Sequence, residues 1–87
     1  MMKAHFTLLE VSQITGLSIS SMKAWIDKEW VTPQATQVLD HEDMARLLLI
    51  HELQVDLGAN EEAIPIILHL LDQLYYVQNR LHNGVSK

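Results

Sequence analysis

The chain has 87 residues, enough for one small domain near the lower limit at which an apolar core suffices without disulfides or metal. Its 48% apolar and 20% charged residues exclude a disordered chain, and the lack of cysteine excludes disulfides, thiolate metal sites and cysteine nucleophiles together. The net charge of −5 is unevenly placed: residues 1–39 balance Lys3, Lys23 and Lys28 against Glu10, Asp27 and Glu29, whereas residues 40–87 set Arg46, Arg80 and Lys87 against eight acids. An acidic half that also carries the long apolar runs suits a basic protein partner better than a polyanion.

In chain order, Phe6-Thr7-Leu8-Leu9-Glu10-Val11 opens a first helix, with Thr7 and Glu10 as a capping box and Phe6 and Val11 at the positions of a hydrophobic staple. Ile14-Thr15-Gly16-Leu17-Ser18 supplies a glycine stop and a serine cap for a second helix, which is helix-turn-helix punctuation. That second helix places Ile19, Met22 and Ile26 inward and Lys23, Asp27 and Lys28 outward. Trp30 to Leu39 is uncharged, holds Pro33 and has β-formers at both ends, so it predicts two short extended pieces around a turn, a minimal wing.

Asp40 caps a third helix, with Leu39 and Met44 as its staple, running to about Leu57. Leu47-Leu48-Leu49-Ile50 cannot all lie on one core stripe, because successive residues turn by about 100°. Leu49 and Leu53 share a face with Glu42, Arg46, Glu52 and Asp56, which predicts a leftover apolar spot rimmed mostly by acids. Gly58 stops this helix and Asn60 caps a fourth, whose stripe is Ile64, Ile67, Leu68, Leu71, Leu74 and Leu81. Pro65 conflicts with a regular start and predicts a bent or tightened first turn. The expectation is a single mostly α domain: a winged helix-turn-helix head over about 6–39, an antiparallel helical pair over about 40–82, and a frayed tail over 83–87.

Ile14-Thr15-Gly16-Leu17-Ser18, then Met22-Lys23-Ala24-Trp25, then Trp30-Val31-Thr32-Pro33 resemble the winged helix-turn-helix head of MerR-like regulators. Lys23 and Trp25 match that family's second helix. Ala24 replaces an aromatic, Glu29 stands where Gly is usual, and the wing lacks the family's arginines. His51-Glu52-Leu53, Leu57-Gly58-Ala59-Asn60 and Ile67-Leu68-His69-Leu70-Leu71-Asp72-Gln73-Leu74 resemble, more narrowly, the chaperone modulator family CbpM, from about Phe6 to Leu81. That resemblance implies binding to the J-domain of a CbpA-type, DnaJ-like co-chaperone, blocking its engagement of the Hsp70 DnaK, with no catalysis.

The residues themselves are weighed against plainer roles. Two lysines beside Asp27 and Glu29 neutralise few phosphates, so Lys23 and Lys28 read as a solvated helix face, and Trp25 and Trp30 read as core anchors. No sequence-specific nucleic-acid binding is expected. His5, His41, His51, His69 and His82 lack the spacing that sets two ligands on one helix face, and no Gly-rich phosphate loop or nucleophile elbow exists, so neither metal nor cofactor is expected. No segment reaches roughly 18 uninterrupted apolar residues and no signal-peptide core begins the chain, so a cytoplasmic protein without a membrane span is expected. Glu42, Leu49, Glu52, Leu53 and Asp56 are the candidate partner-binding set; Ile67, Leu71, Leu74 and Leu81 are the candidate face of a homodimer. The alternative function is a MerR-type DNA-binding transcriptional regulator.

Overall fold

The computed structural model describes residues 5–35 and 38–85, with side chains for all of these except 79 and 81–85. It is mostly helical: α1 spans Leu8–Thr15, α2 Ile19–Asp27, α3 His41–His51 and α4 Ala63–Val85, with one π-helical turn, Glu52–Asp56, extending α3.

The local signals act where the sequence puts them. Thr7 Oγ1 accepts from the Glu10 amide at 3.2 Å, and the Glu10 carboxylate accepts from the Thr7 amide at 2.9 Å, closing the capping box. Gly16, at φ 81°, ends α1 with its N–H donating to the Ser12 carbonyl, and Ser18 Oγ accepts from the Ser21 amide to start α2. At the end of α2 the Trp30 amide donates to the Trp25 carbonyl and the Glu29 amide to Ile26, the paired bonds of a Schellman ending. Glu29 therefore sits at φ 63°, in the left-handed region that favours glycine.

The wing is smaller than expected. Among the described residues there is no strand, only the isolated antiparallel bridges Ala35–Val38 and Phe6–Leu39; Thr36 and Gln37 lie outside the described residues. Trp30 and Val31 do not form a ladder arm because the Schellman ending turns both into the core. Leu39 instead exchanges two backbone bonds with Phe6, of 2.7 and 2.9 Å, tying the start of the chain to the start of α3.

Asp40 and Asp43 form a second capping box at α3, each accepting from the other's amide, at 2.8 and 3.0 Å. The helix was expected to stay regular to about Leu57, but its last turn is wide: the Leu57 amide donates to Glu52, five residues back, and the Ala59 amide to Leu53, six back. Gly58, at φ 69°, makes the reversal. Asn60 caps α4, its Oδ1 accepting from the Ala63 amide at 2.9 Å, and a tight three-residue bond from Ala63 to the Asn60 carbonyl accompanies it. The helix thus begins at Ala63, and Pro65 falls in its first turn, where a missing N–H loses no intrahelical bond. The helix continues to Val85, past the point where fraying was expected; Ser86 and Lys87 lie outside the described residues.

One core joins these elements. Met22, Leu39, Leu47, Ile50, Ile64, Val11 and Val31 are its fully buried side chains, with Trp25, Trp30, Leu53 and Leu68 around them. The pairing of Arg46 with Asp72 across the Gly58 turn sets the register of an antiparallel α3–α4 pair. Among the described side chains of α4 only Ile64 and Leu68 are fully in the core, so much of a helix about 35 Å long extends along and beyond it. The radius of gyration, 14.4 Å, exceeds the roughly 12 Å of a compact chain this long for that reason.

Candidate protein-binding surfaces

Three surfaces carry the residues singled out by the sequence. On the outer side of α2, Lys23 and Asp27 stand at the edge of a groove of about 530 Å³, floored by Leu8, Ile26, Pro33 and Leu39. Its two ionic groups are of opposite sign. Lys28 is drawn away from it, pairing with Glu61 at 3.3 Å and lying 5.5 Å over the Trp30 ring. Trp25 and Trp30 are core residues, as expected, so no aromatic platform faces outward here.

On α3 and the π turn, Glu42, Glu52 and Asp56 are exposed as acids in solvent. The apolar part of this face needs correction. Leu53 is only 7% exposed and belongs to the core, and Leu49 is half-buried against it. The core stripe of α3 runs Leu47, Ile50, Leu53 in three-residue steps and is wide enough to take Leu49 on its flank. The apolar residues left in solvent are Leu48 at 42%, Val55 at 64% and Leu57 at 73%. Neither Val55 nor Leu57 is singled out by the sequence, which takes Leu49 and Leu53 as the surplus apolar face and Leu57 only as the end of the helix.

Arg46, read from the sequence as part of the rim, turns elsewhere. Its Nε donates to the Trp30 carbonyl, and its two terminal nitrogens fork onto the Asp72 carboxylate at 2.8 and 3.1 Å. A planar guanidinium suits such a three-way tie. With that cation engaged, the neighbouring surface is more acidic than a helix wheel suggests. At the N-terminus of α3 the two box carboxylates diverge: the Asp43 amide, donating to Asp40, holds the Asp40 carboxyl below its ordinary value, whereas burial pushes that of Asp43 up.

The third surface is α4. Of the four residues expected on a dimer face, Ile67 packs half-buried against the core, Leu71 is 38% exposed, Leu74 is exposed, and the side chain of Leu81 lies outside those described. A different row stands free: Ile66, Leu70, Leu74 and Val77, each about half exposed or more, on the side away from Ile64 and Leu68. Ile66, Leu70 and Val77 fall outside the stripe of Ile64, Ile67, Leu68 and Leu71 already in the sequence, and with Leu74 they recur at four- and three-residue steps continued at position 81.

Among the described residues, no helix is long and apolar enough to cross a membrane. No curated protein and no solved structure matches the chain. The profile of the MerR HTH family regulatory proteins matches residues 6–83, from the Phe6 bridge into the last turns of α4. That match takes in the head, the α3–α4 pair and all three surfaces, and the chain therefore belongs to the MerR helix-turn-helix regulatory family.

Proposed function

We propose that this chain is a chaperone modulator of the CbpM type: it binds the J-domain of a CbpA-type co-chaperone and excludes the Hsp70 partner from the same surface. The observation that carries this reading is the contrast between two faces. The α2–wing face of a family built around DNA-binding heads has balanced charge here, with Lys23 beside Asp27 and Lys28 paired to Glu61. The α3 face instead exposes Glu42, Glu52 and Asp56 together with Leu48 and Leu57, with Leu49 at its margin and Leu53 supporting it from the core. A basic helical surface on a J-domain is a fitting complement to acids around apolar side chains. In such a contact the charges chiefly set the association rate and its salt dependence, while the apolar centre sets the lifetime.

The test is titration of the purified J-domain against the wild type and variants. Glu52→Lys with Asp56→Lys slows association, and Leu48→Ala speeds dissociation, with unchanged circular dichroism in both. No binding by the wild type at tens of micromolar overturns the reading. A salt-dependent, sequence-selective DNA complex at nanomolar protein promotes the alternative, a MerR-type transcriptional regulator.

We also propose that the protein is a homodimer through α4, a reading favoured by the free row Ile66, Leu70, Leu74 and Val77. The two surfaces lie on different helices, so both partners can be held at once.

A further inference from the structure

We infer that the π-helical turn at Glu52–Asp56 aims Leu57 away from the core stripe and adds it to the acidic face as an apolar contact for a basic helical protein surface. The inference rests on the J-domain reading and deepens it by naming the contact.

The hydrogen bonds carry the first half. In a regular helix the Leu57 amide would bond to the Leu53 carbonyl, stacking Leu57 over a buried residue. Here it bonds to Glu52 at 3.0 Å, one residue further back, so Leu57 stacks over an exposed acid. The Ala59 amide reaches Leu53 at 2.8 Å, which is also one residue wider than the Schellman bond that Gly58 would otherwise close.

Burial carries the second half. Leu53 on one side of the turn is in the core and Ala59 on the other packs against it, so both ends are anchored. Between them the wide turn leaves Leu57 73% exposed, although the spacing from Ile50 would put it on the core stripe of a regular helix. Folding gains nothing from that exposure, and π turns gather at functional sites. The flanking Glu52 and Asp56 are exposed acids, and the nearest cation on α3, Arg46, is held by Asp72. The complement is therefore a positively charged surface with an apolar centre, rather than a nucleic acid or an acidic peptide.

Two variants test this with the purified J-domain as the probe. Leu57→Lys leaves the midpoint of thermal unfolding level, since the side chain is in solvent, sets like charge against a basic surface, and lowers affinity about tenfold or more. Leu57→Ser leaves the thermal midpoint unchanged, since the side chain is in solvent, and lowers affinity by a similar factor. The inference is overturned if Leu57→Ser binds as the wild type does, or if it unfolds at a much lower temperature, which would mark Leu57 as core. It is overturned in favour of a second copy as the occupant if Leu57→Ser shifts sedimentation toward monomer with J-domain affinity unchanged. Failure of the wild type to bind the J-domain removes the functional reading and this inference together, whereas wild-type binding matched by both variants removes this inference alone.

Discussion

Arg46 and Asp72 are 26 residues apart in the chain and joined by two parallel hydrogen bonds, with Nη1–Oδ1 at 2.8 Å and Nη2–Oδ2 at 3.1 Å. The same guanidinium holds the Trp30 carbonyl, so one side chain on α3 secures the end of the helix-turn-helix head and the middle of α4. Without it, α4 would be held to the body chiefly by Ile64 and Leu68 near its start.

Breaking this tie at its two ends has different effects. Arg46→Ala leaves the Trp30 carbonyl without its donor and costs about 1 to 2 kcal/mol, read as a fall in the thermal midpoint. Asp72→Ala removes only the exposed partner and costs less than about 1 kcal/mol. Both variants speed amide hydrogen exchange in α4 beyond Leu71 while leaving α1 and α2 unchanged, and equal exchange there would refute the role of the fork.

Glu29 occupies a backbone position that suits glycine. Its φ of 63° strains any side chain, while its exposed carboxylate makes no contact in the Schellman ending. Glu29→Gly relieves that strain against the larger entropy loss of glycine, a net gain of about 0.5 to 1 kcal/mol in chemical denaturation. A loss of stability would show that the carboxylate has an unrecognised partner.

The core face of α4 divides within one turn. Leu68 is fully enclosed, and Leu68→Ala costs about 2 to 5 kcal/mol. Leu71 is 38% exposed in the single chain, so Leu71→Ala costs about 1 kcal/mol or less there. Equal losses from both variants at a concentration where the protein is monomeric would contradict this division.

Much of this was legible from residues alone, and for a common reason. Thr7 with Glu10, Gly16, Ser18, Asp40 and Asn60 act through bonds spanning three or four residues, so the sequence contains both partners side by side. What escaped depends on distance or on a change of helical pitch. Arg46 could be placed on a face but not matched to Asp72, because the match is set by the length of the Gly58 turn. Leu49 and Leu53 were assigned outward by assuming one pitch and one narrow stripe. The core accepts a wider stripe, and the π turn re-aims Leu57 instead. The wing was read from β-formers, yet Trp30 and Val31 are enriched in strands for the same reason they fill cores.

The Asp40–Asp43 box predicts a pH dependence of known sign. Asp43, raised above its ordinary value by burial, binds its proton more readily folded than unfolded, so its charge lowers stability once the pH exceeds its folded value. Asp40 is depressed, and its contribution is present above the ordinary carboxylate value of 3.8 and lost as the pH falls through its lowered value. Asp43→Asn keeps an acceptor for the Asp40 amide and removes the unfavourable charge. It therefore raises the thermal midpoint at pH 7, and the gain vanishes below about pH 3.8, where the unfolded wild-type residue is also protonated. A gain that persists in acid would mean that packing, not charge, is responsible.

The dimer proposed on α4 follows from spacing as well as exposure. Run antiparallel against a second copy, the row pairs Leu70 with Val77 and position 66 with position 81 about a two-fold axis at Gln73 and Leu74, so one stripe complements itself. Ile66, Leu70, Leu71, Leu74 and Val77 each offer on the order of 100 Å² of apolar surface, or roughly 500 Å² per copy. A stable interface buries about 800 Å² per partner, with somewhat over half of it apolar, and a polar rim from Gln73, Tyr76 and Arg80 supplies the remainder. Sedimentation of the wild type over a concentration series is expected to show a dimer dissociating on dilution. Leu70→Asp with Leu74→Asp yields a monomer with an unchanged helical spectrum, since neither side chain is in the core, and that monomer retains J-domain binding because the acidic face is elsewhere. A wild type that stays monomeric to millimolar concentration would leave this row without a second copy as its partner, and would place its exposed leucines among the contacts available to the J-domain.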